Sequence, residues 1–310
     1  MTSSPRHITA CIVGFHNAAE IARCIEALGR STYSAFDVAI CENGGKESHA
    51  RLVAALPQQL LGGQRVECLL APANLGYAGG VNACIRARPD SGGWWVVNPD
   101  TQPEPGCLAA LVERLDRGDC HAVGGVLYHP DGKVQAYGGL WRAWLGRPVS
   151  IGMGARVEDG VDAAAVEGQM SYILGASMLV DRTYVEAVGL MREDYFLYCE
   201  EVEWALRGIA RGYRPGFAPM SRALHAQGGT TGSASPIHSR PRLPIYMDER
   251  NKLHVVRDTT PMRWPCAAVA TLLLLTIRYA ARGAWPQWRY ALAGWFAGMR
   301  NRRGLPPWLA

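Results

Sequence analysis

Over roughly its first hundred residues the chain alternates short β-rich runs with stretches at helical spacing, and no other feature narrows its fold as far. "ITACIVGF" reads as a strand, "AAEIARCIEALGRS" as a helix, "FDVAICENGG" as a strand ending in a glycine pair, and "SHARLVAALPQQLL" as a helix. "VECLLAP" is the next strand, "LGYAGGVNACIRAR" a loop opening into a helix, and "GWWVVNPD" a strand again. Strict alternation of this kind predicts an α/β fold, a mainly parallel central sheet with helices on its faces. Ligands of such sheets gather at the carboxyl ends of the strands. Three of those ends are polar: His16 and Asn17, Glu42 and Asn43, Asn98 and Asp100.

From Gly106 the pattern changes. "GCLAALVERLDRG" reads as a helix and "HAVGGVLYHPDGKVQAYGG" as a β-hairpin turning at "HPDG". Residues 145–168 are weakly patterned and Gly-rich, which predicts a mobile loop. "SYILGASMLVDRTYVEAVG" reads as strand then helix, and "DYFLYCEEVEWALRGIARGY" as one helix with acidic residues near its N-terminal end, where the helix dipole favours them. "RPGFAPMSRALHAQGG" is a strand that stops at His225.

Charge separates the tail from the rest. From Arg240 onward there are twelve Lys and Arg against three Asp and Glu, whereas the preceding 239 residues carry twenty against twenty-four. The basic character is therefore local, which argues for a surface partner of the tail and against nucleic acid. Cys266 to Ile277 gives twelve residues without a charge, short of the roughly 20 that cross a bilayer. The stretch beyond it mixes Trp and Tyr with Arg, as an amphipathic helix in a membrane interface does. A helical pair packed on the sheet domain is the competing reading. Nine scattered cysteines without a C-x-x-C pair or zinc spacing predict reduced thiols, and the N-terminus lacks the apolar core of a signal peptide. A cytoplasmic protein, peripheral on the inner face of the membrane if its tail binds there, is the expectation.

Several constellations admit a chemical and a plain reading. Gly76, Gly79 and Gly80 would let backbone approach a phosphate ahead of a helix N-terminus, yet the loop matches neither the dinucleotide fingerprint nor the P-loop. Asp100, behind Pro99, is a turn residue or a hard oxygen ligand for Mg2+ or Mn2+. His225 is a satisfied structural histidine or a ligand. Glu200, Glu201 and Glu203 form a solvated first turn, or a cluster whose mutual repulsion serves a cation or a proton transfer.

Taken in order, "IVGFHNAAEI", "CENGG", "NLGYAGGVN", "NPD", "LGASMLV", "YFLYCEEVEWALRGIARGY", "HAQGGTTG" and "RNKL" resemble the motifs of family 2 glycosyltransferases of the GT-A fold, most closely their bacterial rhamnosyltransferase-like branch. The likeness runs from Ile8 to about Asp258. It implies a GT-A domain over 1–258, with a nucleotide-binding half at 1–105 and an acceptor-binding half at 106–258, and a helical tail over 259–310. It implies nucleotide-sugar contacts at Phe15, His16, Glu42, Asn43, Asn74, Gly76, Gly79, Asn82, Asn98, Asp100 and Arg250, and acceptor contacts at Gly175 and Ala176. Asp100 and His225 become the expected ligands of Mg2+ or Mn2+, and Glu201 the general base, with Glu200 able to share that role.

Two positions depart from the family pattern. Glu201 replaces a commoner Asp, and a second histidine is missing from "HAQGGTTG". The implied activity is metal-dependent, inverting transfer of a sugar, L-rhamnose from dTDP-rhamnose first, to a saccharide or lipid-linked acceptor of a cell-surface polysaccharide. A UDP-hexose or UDP-galactofuranose transferase of the same family, and a non-catalytic nucleotide-sugar-binding protein, are the alternatives. A sugar-1-phosphate nucleotidyltransferase would need a basic Gly-rich N-terminal loop, which "VGFHNAAE" does not supply.

Overall fold

The structure, a computed structural model, describes residues 5–226 and 231–309; residues 227–230, within "HAQGGTTG", lie outside the described residues. β1 (Ile8–Gly14), β2 (Phe36–Glu42), β3 (Val66–Leu70) and β4 (Gly93–Val97) form a parallel half-sheet in the order β3-β2-β1-β4. α1 (Ala18–Leu28), α2 (Gly45–Ala55) and α3 (Gly76–Ala87) connect them. β1 is buried along its whole length because both faces are covered. Ile8, Ala10 and Ile12 meet α1, while Cys11 and Val13 meet α3. The period-2 alternation of strand side chains likewise sends Trp95 to the first of these cores and Trp94 to the second.

The second half is mixed. β5 (Thr101–Pro103), α4 (Cys107–Leu115), β6 (Ala122–Tyr128) and β7 (Val134–Ala136) follow, with β6 and β7 making the hairpin expected at "HPDG". β8 (Gly138–Arg142) and β9 (Arg147–Ile151) pair antiparallel, and α5 (Ala163–Gln169) comes next. The expected mobile loop over 145–168 is thus corrected: it holds a strand and a short helix whose N-cap, Asp162, accepts from Ala165 N. β10 (Ser177–Asp181) runs antiparallel between β4 and β6, then α6 (Arg182–Val188), α7 (Glu200–Ile209) and β11 (Pro215–His225) follow. β11 lies parallel to β6 and antiparallel to β5.

α7 is shorter than the sequence suggests. Phe196, Tyr198 and Cys199 before it adopt φ of 66°, 70° and 68°, a left-handed region costly for side chains of this size. The surroundings hold them there. Asn251 Nδ2 lies 2.8–2.9 Å from the carbonyls of Tyr195, Leu197 and Tyr198, and Tyr77 N donates to Phe196 O at 2.7 Å.

Asn251 belongs to α8 (Arg242–Thr259), against which α9 (Trp264–Tyr279) and α10 (Trp285–Met299) pack. Gly294 and Gly298 let α10 approach closely: a Cβ there would lie 2.3 Å from Tyr246 O and 2.8 Å from Arg250 O. Of the two readings of the tail, the structure shows the packed helices. It also lengthens the apolar run, since the helical stretch Pro261–Arg282 is 22 residues long and apolar enough to cross a membrane by length and composition. All nine cysteines are free, and only Cys266 is exposed.

Candidate functional site

The strand exit at "NPD" is pinned from two sides. Asn98 N donates to Ala176 O at 3.1 Å, and Thr101 Oγ1 to the same carbonyl at 3.3 Å, so the β4 exit and the Gly175–Ala176 segment move as one. Across the other edge, β5 pairs with β11 so that Thr101 faces His225, and Ala226 N donates to Asp100 O at 3.1 Å. That register brings His225 Nε2 to 3.2 Å from Asp100 Oδ1.

The histidine is oriented by a residue that sequence reasoning missed. Gln135 Oε1, on β7, accepts from His225 Nδ1 at 2.8 Å. In the neutral imidazole this puts the proton on Nδ1 and turns the Nε2 lone pair toward the carboxylate. Nε2 is buried and has no hydrogen-bond partner among the described residues. Two acceptors facing each other in a buried gap repel unless a proton or a cation lies between them. One carboxylate oxygen with one imidazole nitrogen is a donor pair that fits Mn2+ or Mg2+. No cluster of three or more His, Cys, Asp or Glu suited to a metal occurs among the described residues. No signal in the sequence pointed to Gln135.

The acidic pair opens the first turn of α7. Glu200 is sealed, and burial followed by repulsion from Glu201 pushes its carboxyl well above the usual range. Its Oε2 has no hydrogen-bond partner among the described residues. Glu201, partly open to solvent, is pushed by burial up to about 7. The two therefore share one charge near neutrality, and Glu201 is the member that ionises there.

Tyr77 joins these parts and was also missed, although it sits inside "NLGYAGG". Its Oη lies 2.8 Å from both Asn98 Oδ1 and Gly175 O. Burial raises its pKa most, and the charges of Glu200, Glu201 and Asp100 add to the rise, in that order. A Cβ on Gly175 would stand 3.5 Å from Tyr77 Oη and 3.9 Å from Glu201 Cβ. Tyr77 thus touches Asn98 and Gly175 and lies within electrostatic reach of Asp100, Glu200 and Glu201.

A second cluster closes the carboxyl ends of β1 and β2. Glu42 Oε1 accepts from Gly44 N at 2.7 Å and His16 N at 3.3 Å, and its buried Oε2 has no partner among the described residues. His16, at φ 56°, and Phe15, 40% exposed, stack edge to face at the surface. Asn43 spans the next loop, donating to Gly76 O at 2.9 Å and accepting from Leu75 N at 3.2 Å. Asn74 is exposed there and accepts from Gly76 N at 3.0 Å.

Four of the expected contacts are engaged by the protein itself. Beside Gly76 (φ 71°) the space is filled: a Cβ would lie 2.2 Å from Phe196 O. Beside Gly79 a Cβ would meet Leu75 Cβ at 2.7 Å, so on their Cα side these glycines serve close packing. Asn82 is buried, with Nδ2 donating to Met191 O and Glu193 Oε1 and its Oδ1 accepting from Met191 N, so both its donors are taken by the protein. Arg250 is 1% exposed and bonds Asn251 Oδ1, Gly304 O and Tyr195 O, so its guanidinium ties the tail to the segment before α7 and does not face a diphosphate.

Comparison with known proteins adds a family. The sequence model of Glycosyl transferase family 2 matches residues 9–185, more than half of the chain. N-acetylglucosaminyl-diphospho-decaprenol L-rhamnosyltransferase from two strains of Mycobacterium tuberculosis is 27% identical over 267 residues, which span 78% of this chain and 83% of the relative. Among solved structures, a mannosyltransferase from Pyrobaculum calidifontis in complex with GDP-Man and Mn2+ is similar over 97% of this chain and 89% of its own, at a TM-score of 0.58 and 15% identity. GalNAc-T7 with UDP, GalNAc and Mn2+ is similar at a TM-score of 0.58 and 12% identity, over 81% of this chain and 51% of its own. At such identities the structural likeness speaks for the fold alone.

Proposed function

The chain belongs to glycosyl transferase family 2, an enzyme family of GT-A fold, and from that premise we propose that it transfers L-rhamnose from dTDP-rhamnose, with inversion, to a lipid-linked saccharide. The observation that carries the reading is the assembly around Tyr77: an acceptor pair suited to a cation on one side, and on the other a carboxylate held near 7. Rhamnose and a diphospho-lipid acceptor are favoured by the mycobacterial relative, whose name contains both.

Asp100 Oδ1 and His225 Nε2 would hold Mn2+ or Mg2+. Bound there, the ion supplies positive charge to a departing nucleoside diphosphate. The rest is the work of side chains. Glu201 takes the proton of the acceptor hydroxyl as its oxygen bonds the anomeric carbon, while the opposite C–O bond breaks and the diphosphate leaves with the electron pair. Glu200, held neutral, keeps a second charge from stabilising the protonated form of Glu201 before turnover. Tyr77 holds Asn98 and the Gly175 carbonyl in register, so that the donor side and the acceptor side keep a constant separation. The Glu42 Oε2 acceptor would receive an N–H from the pyrimidine base, and His16 and Phe15 would pack on its ring. The enzyme would act at the cytoplasmic membrane surface, where a lipid-linked acceptor presents its sugar.

The test is a panel of dTDP-rhamnose, UDP-hexoses and UDP-galactofuranose, with Mn2+ or with chelator, against an N-acetylglucosaminyl-diphospho-lipid. Rhamnosyl transfer that requires the metal is expected. Transfer from a UDP-sugar alone would move the donor assignment, and full activity in chelator would remove the metal.

A further inference from the structure

The two sides of α9 differ sharply. Ala267, Ala268, Thr271, Leu275 and Tyr279 are buried, whereas Val269, Leu273 and Ile277 are 61%, 59% and 62% exposed. Spaced four residues apart, the exposed three stack as one stripe along the helix. Met262 and Cys266 prolong it at the N-terminal end. A remote segment joins it. The 3-10 turn Ala143–Leu145 after β8 packs on α9, and a Cβ on the following Gly146 would lie 2.8 Å from Thr271 Cγ2. The guanidinium of Arg263 sits 5.2 Å from the ring centre of Trp144, and both Trp144 and Leu145 are exposed. The result is an aliphatic strip bordered by tryptophan and arginine.

The charge around the strip names its partner. From Thr259 to Ala310 there are seven arginines and no Asp or Glu. Arg278 and Arg303 meet carboxylates of neighbouring segments, but Arg263 and Arg282, which flank the two ends of α9, have none among the described residues. Cations without counter-charges around apolar side chains that make no hydrogen bonds match the boundary between headgroups and acyl chains of an anionic bilayer. A crossing helix is disfavoured, since the inner side of α9 is packed against the protein.

We propose that the outer face of α9, together with Trp144 and Leu145, docks this protein flat on an anionic bilayer. Val269, Leu273 and Ile277 enter the headgroup boundary, and Arg263 and Arg282 engage lipid phosphates. The face is rigidly related to the acidic pair. Val202 of α7, Trp141, Tyr172, Val255 and Ala267 of α9 form one packed cluster, so a seated α9 sets the height of Glu201 above the membrane. The inference deepens the reading of a lipid-linked acceptor, and its test uses no transfer assay.

Full-chain protein is sedimented with vesicles of phosphatidylcholine alone and of phosphatidylcholine with equimolar phosphatidylglycerol. Binding to the mixed vesicles only is expected. Leu273→Glu with Ile277→Glu should weaken it at least about tenfold, and Arg282→Gln roughly fivefold. All three positions face solvent, so melting temperature and donor binding should stay at wild-type values, which separates failure of docking from failure of the enzyme. Trp144→Ala, far from the tail in sequence, should weaken binding as well. Equal binding by wild type and the double Glu variant overturns the proposal. So does a wild-type dimer, seen without vesicles, that the same variant dissociates, because the face would then belong to a second copy of the chain.

Discussion

Replacing Glu201 by Gln should move activity and stability in opposite directions. The carboxyl has an ordinary value of 4.5 and is held at about 7 by burial. Its folded value lies above its unfolded one, so its contribution to stability is whole below the unfolded value and is lost as pH rises through about 7. A shift of that size corresponds to about 3 kcal/mol at full ionisation, which partial contact with solvent trims to about 2 kcal/mol. Glu201→Gln removes the charge and keeps the volume. At about pH 8 the variant should therefore be more stable than wild type by about 2 kcal/mol, a rise of roughly 3 °C in Tm, and below about pH 4 the two should melt together. Turnover should meanwhile fall by about 10²–10⁴-fold with donor affinity nearly unchanged. Calorimetry at the two pH values, beside steady-state kinetics, gives both readouts. Wild-type turnover would refute the base assignment, and melting curves that do not separate with pH would refute the buried charge.

Other outcomes follow from the same geometry. The wild-type rate should climb with pH through about 7 as Glu201 loses its proton, and a flat profile between about pH 6 and 8 would contradict this. Asp100→Asn should weaken Mn2+-dependent binding of dTDP by about tenfold or more in titration calorimetry, whereas an affinity for dTDP that ignores Mn2+ would remove Asp100 and His225 as a metal pair. Tyr77→Phe keeps the ring and deletes the hydroxyl, so kcat/KM should drop by about tenfold with little change in denaturation midpoint. Arg250→Met should cost about 3 kcal/mol in urea denaturation by stranding Asn251 Oδ1 and the carbonyl of Gly304, and a raised donor KM without that loss would return Arg250 to the diphosphate.

What the sequence reveals is governed by how local the cause is. The alternation of β1 to β4 with α1 to α3 is legible because a strand buried on both faces needs an unbroken apolar run, and the hairpin at "HPDG" because turn chemistry is local. The antiparallel insertion of β10 beside β4 is set by packing between distant segments, and the alternation of the first hundred residues does not show it. Polar residues mislead in the same way. Asn82 and Arg250 look like ligand contacts in a one-dimensional reading, yet each is consumed by backbone groups more than fifty positions away. Gln135 and Tyr77 act only through partners that the chain brings up later. The delayed start of α7 has a comparable cause, since the carbonyls that break the helix are held by α8.

The grip of Asn251 and Arg250 on the segment leading into α7 bears on how such an enzyme can be dissected. The last three helices look dispensable, a handle to be trimmed before crystallisation or assay. They are instead the anvil under the proton acceptor, so a truncated protein that floats free of lipid and makes no product would say nothing about anchorage. Point changes on the outer side, which leave that foundation standing, are the sound instrument.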